Sequence, residues 1–192
     1  MNRGLWAFQL TVLLIAAANS DVAAFVNPFD REGFEALYDA PPQSEPLGTI
    51  MENVTEVGNY RTLLGLSIVF MAYGGEVHHD TGKLLASAYV ASALGVFGAK
   101  NISRRTRPFD KELGDSSFPS GHTAYAFAGA TILGNRYPKL RIPLYLVAGL
   151  VGVSRVYLGR HYPTDVIGGA IVGTVAGTLV WRYRATVLRW EF

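Results

Sequence analysis

The feature that most constrains the fold of this chain is a series of long apolar runs that contain no charged residue. Five such runs, each of 13–16 residues, lie at positions 62–75, 84–99, 123–135, 142–154 and 166–181. They exceed the usual length of a β-strand and lack its strict alternation of polar and apolar residues, so they predict helices. We therefore expect an all-α fold, a bundle of five to six helices.

The length and the polarity of these runs give opposite indications about the surroundings of the bundle. A membrane-spanning helix needs about 20 apolar residues, and shorter runs are typical of soluble bundles. However, the runs 142–154 and 166–181 have no charge on any face, whereas a soluble surface helix has a polar face. Gly169, Gly173 and Gly177 recur at four-residue spacing, which lets helix backbones approach closely, as in membrane bundles or in any tight helix pair. We expect a membrane-spanning bundle, with a soluble bundle as the alternative.

The N-terminal third differs in composition and divides the chain into three parts. Residues 1–20 combine Arg3, an apolar stretch and the small residues before Asp21, which is the layout of a secretory signal peptide or of a first transmembrane helix. Residues 21–60 are acidic and interrupted by prolines, and they predict a loop with amphipathic segments. Residues 61–192 form the predicted helical core.

The basic residues predict how the bundle is oriented in a membrane. Short basic segments stay on the cytoplasmic side, and counting spans places three of them on one side. They are Arg3, the group Arg136, Lys139 and Arg141, and the group Arg182, Arg184 and Arg189. Residues 100–122 and 155–165 then face the periplasmic or outer side of the cell inner membrane. A soluble form would lie in the periplasm.

Composition excludes several classes of function. Charged residues make up only 17% of the chain and the formal net charge is +2, so no nucleic-acid partner is expected. The chain has no cysteine, which excludes disulfides, thiol nucleophiles and cysteine-bound metals or clusters. His78 and His79 have only Glu76 and Asp80 nearby, and we interpret them as loop residues rather than metal ligands. Neither a metal site nor a cofactor is predicted.

Polar residues in so apolar a chain indicate where chemistry takes place, and the first cluster runs from Lys100 to Pro108. If the preceding helix continues, Lys100 and Arg107 share one of its faces and Pro108 ends it. The cluster also contains Arg104 and Arg105, which together with Arg160 could meet a second phosphate or lipid headgroups. Taken alone, the cluster is equally typical of a basic segment beside a membrane.

The second cluster opens the third apolar run. Pro119, Ser120 and Gly121 predict a helix start, where unpaired backbone N–H groups and the helix dipole favour an anion. His122 would lie in the first turn, beside that anion. Taken alone, the pattern indicates no more than a capped helix.

The third cluster runs from Ser154 to Asp165. Gly159 ends one helix and Pro163 suits the first turn of the next, so His161 stands at a helix entrance. Asp165 lies four residues later and can hold one imidazole nitrogen while the other stays available as a nucleophile or base. An ordinary histidine–aspartate pair at a helix start is an equally good interpretation of this cluster alone.

Taken in order, the three clusters resemble the signature of the type 2 phosphatidic acid phosphatase superfamily, whose fold and site are shared with vanadium haloperoxidases. The matching positions are Lys100, Arg107, Pro108, Pro119, Ser120, Gly121, His122, Ser154, Arg155, His161 and Asp165. The resemblance covers residues 62–181. Only ten residues separate Pro108 from Pro119, fewer than is frequent in the family, which leaves little room for a substrate-recognition loop.

The resemblance implies a mechanism that agrees with the residues themselves. His161 would attack phosphorus to form a phosphohistidine, Asp165 would orient it, and His122 would protonate the leaving oxygen. The phosphoryl oxygens would be held by Lys100, Arg107, Ser120, Gly121 and Arg155.

We therefore expect a metal-independent phosphatase that hydrolyses a lipid phosphate or pyrophosphate at a membrane. The alternatives are a soluble periplasmic nonspecific acid phosphatase and a vanadate-dependent haloperoxidase. The sequence does not identify the lipid, and it gives no indication of oligomeric state.

Overall fold

The computed structural model describes residues 26–39, 44–73, 75–109 and 116–189, and all the regular structure within them is helical. The α-helices are α1 (Pro28–Phe34), α2 (Glu45–Glu56), α3 (Tyr60–Tyr73), α4 (Gly75–Ser103), α5 (Gly121–Arg136), α6 (Arg141–Tyr157), α7 (Pro163–Arg182) and α8 (Arg184–Val187). A π-helical turn at Glu35–Asp39 continues α1, and a 3-10 turn at Pro138–Leu140 precedes α6. The predicted all-α fold is confirmed, and the five apolar runs correspond to α3–α7. The predicted leader at 1–20 lies outside the described residues.

Several helices are longer than the uncharged runs from which they were predicted. The largest difference is in α4, which has 29 residues because Glu76, Asp80, Lys83 and Lys100 lie within the helix, near its two ends. Charged residues near the ends of a spanning helix, such as Glu76, can reach the headgroup region, whereas Lys83 is buried inside the bundle. The uncharged run therefore underestimated the length of this helix.

Three helical segments of the described chain are long and apolar enough to cross a membrane, namely Gly75–Ser103, Pro138–Tyr157 and Pro163–Arg182. Large apolar side chains also face outward on these helices, including Leu94, Phe97, Ile142 and Leu146. An apolar surface of this extent suits lipid rather than water. The protein is a membrane protein, and a soluble bundle is not supported.

Helix α5 lies at the centre of the bundle and packs closely against α7. A Cβ atom at Gly177 would lie 2.7 Å from Cβ of Thr131, and Cβ atoms at Gly169 and Gly173 would overlap the carbonyl oxygens of Ser120 and Ala124. The close backbone approach predicted from the glycine spacing is thus present. It sets the first turn of α7 directly against the first turn of α5.

The two ends of the bundle differ in what they contain. The end of α4 and the starts of α5 and α7 lie at one end, which we call the site end. The opposite end, which we call the basic end, contains Arg136, Lys139, Arg141, Arg182, Arg184 and Arg189. At about 1.5 Å per residue, α5 and α7 separate the two ends by roughly 24–30 Å.

His78 and His79 do not lie in a loop as predicted, because α4 begins at Gly75 and both residues occupy its first turns. This part of α4 is at the basic end, where the Arg136 side chain donates hydrogen bonds to the carbonyl oxygen of Val77 (2.8 Å) and to Oγ1 of Thr81 (3.1 Å). Both histidines are therefore remote from the site end.

Candidate active site

Residues from all three polar clusters line one cavity at the site end. The cavity has a volume of about 940 Å³. Six of the eight predicted site residues line it, namely Lys100, Arg107, Gly121, His122, Arg155 and His161. The other two, Ser120 and Asp165, are fully buried behind its wall. The sequence clusters, which are far apart in the chain, thus form a single site.

A tight turn between α6 and α7 sets the position of His161. Gly159 adopts a φ of +67°, which favours glycine, and the backbone N–H groups of Arg160 and His161 both donate to the carbonyl oxygen of Arg155 (3.0 and 3.2 Å). Helix α7 then begins at Pro163. The His161 side chain is only 2% exposed, so this turn holds the imidazole at the floor of the cavity.

The neighbours of His161 determine which of its nitrogens is available. Nη1 of Arg107 lies 3.3 Å from Nε2, and because a guanidinium group can only donate, Nε2 accepts. The ring proton is then on Nδ1, which lies 3.5 Å from Oδ2 of Asp165, a long contact. The Nε2 lone pair is therefore directed at Arg107 on the cavity wall, and this long contact must yield before Nε2 attacks.

Burial lowers the pKa of His161 to about 4, against the opposing effect of Asp165 and with a further lowering by Arg155 and Arg107. The imidazole is consequently neutral at physiological pH. A buried, neutral imidazole with its lone pair directed at a cationic cavity is the form that can attack an electrophile.

Asp165 lies in the first turn of α7 and is fully buried. Its Oδ2 accepts the backbone N–H of Tyr162 (2.8 Å), and its Oδ1 accepts Nη1 of Arg105 (2.7 Å). Both carboxylate oxygens are therefore held in place, and the face of Oδ2 that remains is directed at His161.

Four cations line the cavity, namely Lys100, Arg107, Arg155 and Arg160, and the first three are held by contacts with oxygen atoms. Arg107 donates to the carbonyl oxygen of Arg160 (3.2 Å), Arg155 donates to Oγ1 of Thr55 (3.1 Å), and Lys100 Nζ donates to the carbonyl oxygen of Ser116. The contact with Thr55 comes from α2, so this amphipathic helix is part of the site.

The expected continuation of α4 through Arg107 is wrong. Helix α4 ends at Ser103, and Arg104 adopts a φ of 46°, which turns the chain away from the helix axis. Lys100 and Arg107 do not share a helix face. They nevertheless reach the same cavity, because the segment after Ser103 folds back along the start of α7.

The start of α5 forms as predicted, with Ser120 as its N-cap. Oγ of Ser120 accepts the hydroxyl of Thr123 (2.9 Å) and, more weakly, its backbone N–H (3.5 Å). Gly121 and His122 line the cavity, so the unpaired N–H groups of the first turn lie beside it. Ser120 stabilises this helix start, while its predicted contact with phosphate stays a prediction.

Arg105 is the clearest correction to the sequence interpretation. It was expected to meet headgroups or a second phosphate, but its side chain is only 3% exposed and binds two buried carboxylates, those of Asp30 and Asp165. Asp30 and Thr55 were not singled out at all. The start signal of α1, an asparagine cap at Asn27 followed by Pro28, could have predicted the helix that places Asp30, but not its long-range partner.

Comparison with known proteins gives the same family as the three clusters. The sequence model of the PAP2 superfamily matches residues 81–189. Lipid A 1-phosphatase of Porphyromonas gingivalis is 41% identical over 105 residues, which cover 51% of this chain and 23% of that protein. Phosphatidylglycerophosphatase B of Bacillus subtilis is 33% identical over 161 residues, which cover 76% of this chain and 79% of that protein.

A solved structure has the same fold over the whole chain. The transmembrane PAP2 type phosphatidylglycerolphosphate phosphatase of Bacillus subtilis superimposes with a TM-score of 0.75 at 27% identity, covering 100% of both chains. The matched regions span only 23–56% of the length of the first curated relatives. These similarities indicate a phosphatase of the membrane lipid phosphatase type.

Proposed function

Because the chain belongs to the PAP2 superfamily, we propose that this membrane phosphatase hydrolyses a lipid phosphate or pyrophosphate through a phosphohistidine intermediate, without a metal ion. The observation that supports the proposal most is the position of His161. Its Nε2 atom contacts Arg107 in a cavity that is lined by four cations and by His122.

In the proposed first step, Nε2 of His161 attacks phosphorus as the bond from phosphorus to the leaving oxygen breaks. His122, which must be protonated when the phosphate anion binds, gives a proton to that oxygen, and Asp165 stabilises the positive charge that develops on the His161 ring. Water then attacks the phosphohistidine, and His122 takes a proton from it. This second step releases inorganic phosphate and restores both histidines.

The cations supply the electrostatic stabilisation in this proposal. Lys100, Arg107, Arg155 and the N–H of Gly121 would hold the phosphoryl oxygens, with Ser120 as the further donor that the resemblance implies. Donors already in place around a phosphoryl group are a major source of rate acceleration. The described residues contain no group of three or more His, Asp or Glu side chains able to bind a metal ion.

A lipid substrate is supported by the apolar wall of the cavity. Ala93, Val96 and Phe97 of α4 line it below Lys100, and Phe97 is 68% exposed at the outer surface of the bundle. A phosphate among the cations could thus continue into an acyl or prenyl chain along α4. The candidates are phosphatidylglycerophosphate, phosphatidate, undecaprenyl pyrophosphate and the phosphates of lipid A.

The substrate and the mechanism can be tested together. Phosphate release is measured in detergent from these four lipids and from a soluble aryl phosphate, with and without EDTA. We expect one lipid to be preferred and EDTA to have no effect. Loss of activity in EDTA that an added divalent metal restores would exclude the metal-free mechanism.

The covalent intermediate has a direct test. Brief incubation with a ³²P-labelled substrate followed by denaturation should leave label on the chain, stable in alkali and lost in acid. His161→Ala should abolish the label, whereas His79→Ala at the basic end should retain it. Equal labelling of both variants would contradict the role of His161.

We further propose that the site end lies on the periplasmic or outer face of the inner membrane, because the basic end carries the residues that stay in the cytoplasm. Single cysteines at Thr106 and Lys139, both exposed, report the two ends. In intact cells an impermeant maleimide should label Thr106→Cys, and it should label Lys139→Cys only after permeabilisation. The reverse pattern would place the site in the cytoplasm.

A further inference from the structure

A chain of buried charges lies behind the pair formed by His161 and Asp165. Nη1 of Arg105 donates to Oδ1 of Asp165 (2.7 Å), and its Nη2 donates to Oδ2 of Asp30 (2.5 Å). The side chains of Asp30 and Asp165 are 0% exposed and that of Arg105 is 3% exposed. A single guanidinium thus joins a carboxylate of α1 to the carboxylate of the candidate active site.

Further contacts hold this chain of charges in one geometry. The backbone N–H and the hydroxyl of Thr164 both donate to Asp30 (2.9 and 2.8 Å), and Nη1 of Arg105 also donates to the Thr164 hydroxyl (2.7 Å). The guanidinium lies over the ring of Tyr162, 4.4 Å from its centre. Thr164 and Tyr162 flank Pro163 at the start of α7, so Asp30 is tied to the same turn that carries His161.

We infer that Asp30 and Arg105 are positioning residues, which fix the direction and the effective charge of Asp165 and thereby keep His161 nucleophilic. This inference rests on the proposed role of His161. It assigns a part in the reaction to α1, which lies outside the region 81–189 that the family model matches.

The first part of the argument concerns direction. Arg105 holds Oδ1 of Asp165 and the Tyr162 N–H holds Oδ2, so the carboxylate cannot rotate away from Nδ1 of His161. The Nδ1 contact is long at 3.5 Å, and it shortens most easily when the ring becomes positive during attack. A carboxylate fixed in advance stabilises that charge without reorganisation.

The second part concerns charge. Arg105 alone would neutralise Asp165 and weaken its effect on His161. With Asp30 included, two carboxylates and one guanidinium carry a net charge of −1 beside the imidazole. In a buried environment this difference is large, because water screens it poorly.

A purely structural role for the same contacts predicts something different. Loss of Asp30 would then lower the amount of folded protein, but each folded molecule would bind and react normally. The two interpretations can be distinguished by comparing a ligand that bonds to His161 with a ligand that binds at the cations without bonding to His161. Orthovanadate becomes five-coordinate by bonding to Nε2, whereas inorganic phosphate is held by the cations and the Gly121 N–H without a bond to His161.

The experiment measures inhibition constants for orthovanadate and inorganic phosphate, together with kcat and KM for the best lipid of the panel. The full-length protein in detergent is compared with Asp30→Asn. Glu32→Gln, which removes an exposed carboxylate from the same helix, is the matched control.

In Asp30→Asn we expect kcat to fall, and the vanadate inhibition constant to rise, by about tenfold to a hundredfold. The phosphate inhibition constant and KM should stay within about twofold, because the cations are unchanged. Glu32→Gln should behave as the wild type. Vanadate inhibition and kcat within about twofold of the wild type in folded Asp30→Asn would overturn the inference.

A second variant keeps the test decisive if Asp30→Asn does not fold. Arg105→Lys retains the buried positive charge, but one ammonium group cannot reproduce the planar fork that reaches both carboxylates. We expect the same selective loss of vanadate binding and kcat, and retention of both would overturn the inference. If vanadate binds wild-type protein no more tightly than phosphate does, the proposed chemistry of His161 itself is wrong.

Discussion

The two ends of the bundle carry similar numbers of basic residues but use them in opposite ways. At the site end Arg105 and Arg107 are 3% and 8% exposed, and Arg107, Arg155 and Lys100 converge on one cavity. At the basic end Lys139, Arg141, Arg182, Arg184 and Arg189 are exposed. Basic residues in a membrane protein therefore indicate a site only where the fold gathers them around one cavity.

The difference follows from the cost of burying charge. A buried cation needs a partner, and Arg105 has two carboxylates while Arg107 and Arg155 have a carbonyl oxygen and a hydroxyl. The cations around the cavity thus contact neutral oxygen atoms, and the carboxylates of Glu52 and Glu56 also line that cavity. Cations at the basic end are exposed instead, and the proposed orientation in the membrane depends on them.

The largest effect is expected from the carboxylate of the site. Asp165→Asn should lower kcat/KM by about 10³–10⁴-fold, because an amide neither stabilises the His161 imidazolium nor fixes its tautomer. The fold should survive, since Arg105 keeps Asp30 as its partner. Phosphate release and thermal unfolding in detergent measure the two properties, and Asp80→Asn at the basic end is the control. Near-normal turnover would make the pair of His161 and Asp165 structural.

Exchange of one arginine at each end tests the comparison directly. Arg107→Gln should lower kcat/KM by about 10²–10³-fold, as expected for loss of one donor to a developing charge. Arg141→Gln, which loses only an exposed contact with Asn135, should remain within about twofold. Comparable losses in the two variants would show that the cations of the site end have no special role.

The effect of removing His122 should depend on how strongly the leaving group needs a proton. His122→Ala should lower kcat by about 10²-fold or more on an alkyl lipid phosphate, and by a smaller factor on an aryl phosphate with a good leaving group. Both substrates are assayed with the same enzyme preparation, so the fraction of folded enzyme affects both rates equally. Equal losses on the two would rule out His122 as the general acid.

The glycines of α7 allow the two ends to be perturbed by the same change. Gly169→Ala and Gly177→Ala should each destabilise the protein by about 1–3 kcal/mol, because the added methyl group meets α5. Only Gly169→Ala should also lower the activity per folded molecule, since it displaces Ser120 and the start of α5. Gly149→Ala on α6, where a Cβ meets nothing within 4 Å, is the control. Unfolding temperature and active fraction are measured together.

The smallest effect is expected from pH. Burial lowers the pKa of His161 to about 4, and only the neutral ring can attack. Loss of activity through protonation of His161 in the free enzyme should therefore occur near pH 4 rather than near 6.5, so kcat/KM should vary little from this cause between pH 5.5 and 7. The measurement is a profile of kcat/KM at limiting substrate, and an acid limb centred near pH 6.5 that is due to His161 would contradict it.

Much of the fold could be predicted because membrane helices are specified by local composition. The runs that became α3–α7, the glycine spacing of α7 and the caps at Ser120 and Gly159 are all short-range patterns. Helix length was harder to predict, because residues such as Glu76 and Lys100 lie within α4 although they interrupt the apolar run. A charged residue near the end of a spanning helix interrupts the apolar run in the sequence, but the helix continues through it.

The candidate site was predictable where its residues occur in recognisable clusters. Lys100, His122, Arg155 and His161 line the cavity, and Asp165 stands behind His161. The path of the chain after Ser103 was not predictable, because the turn at Arg104 has no glycine or proline to announce it. Local pattern therefore placed Arg107 on the wrong element while assigning it to the right cavity.

The sequence by itself determined the all-helical bundle, the family and six of the residues that line the candidate site, because each depends on periodicity or on residues close together in the chain. Tertiary structure alone decided that Arg105 is buried and that Asp30, 75 residues earlier, is its partner. Neighbouring basic residues such as Arg104, Arg105 and Arg107 are equivalent as a sequence pattern. Which of them meets solvent, a carboxylate or the cavity depends on the packing of α1 against the start of α7, since a buried charge is stable only where a distant segment supplies its partner.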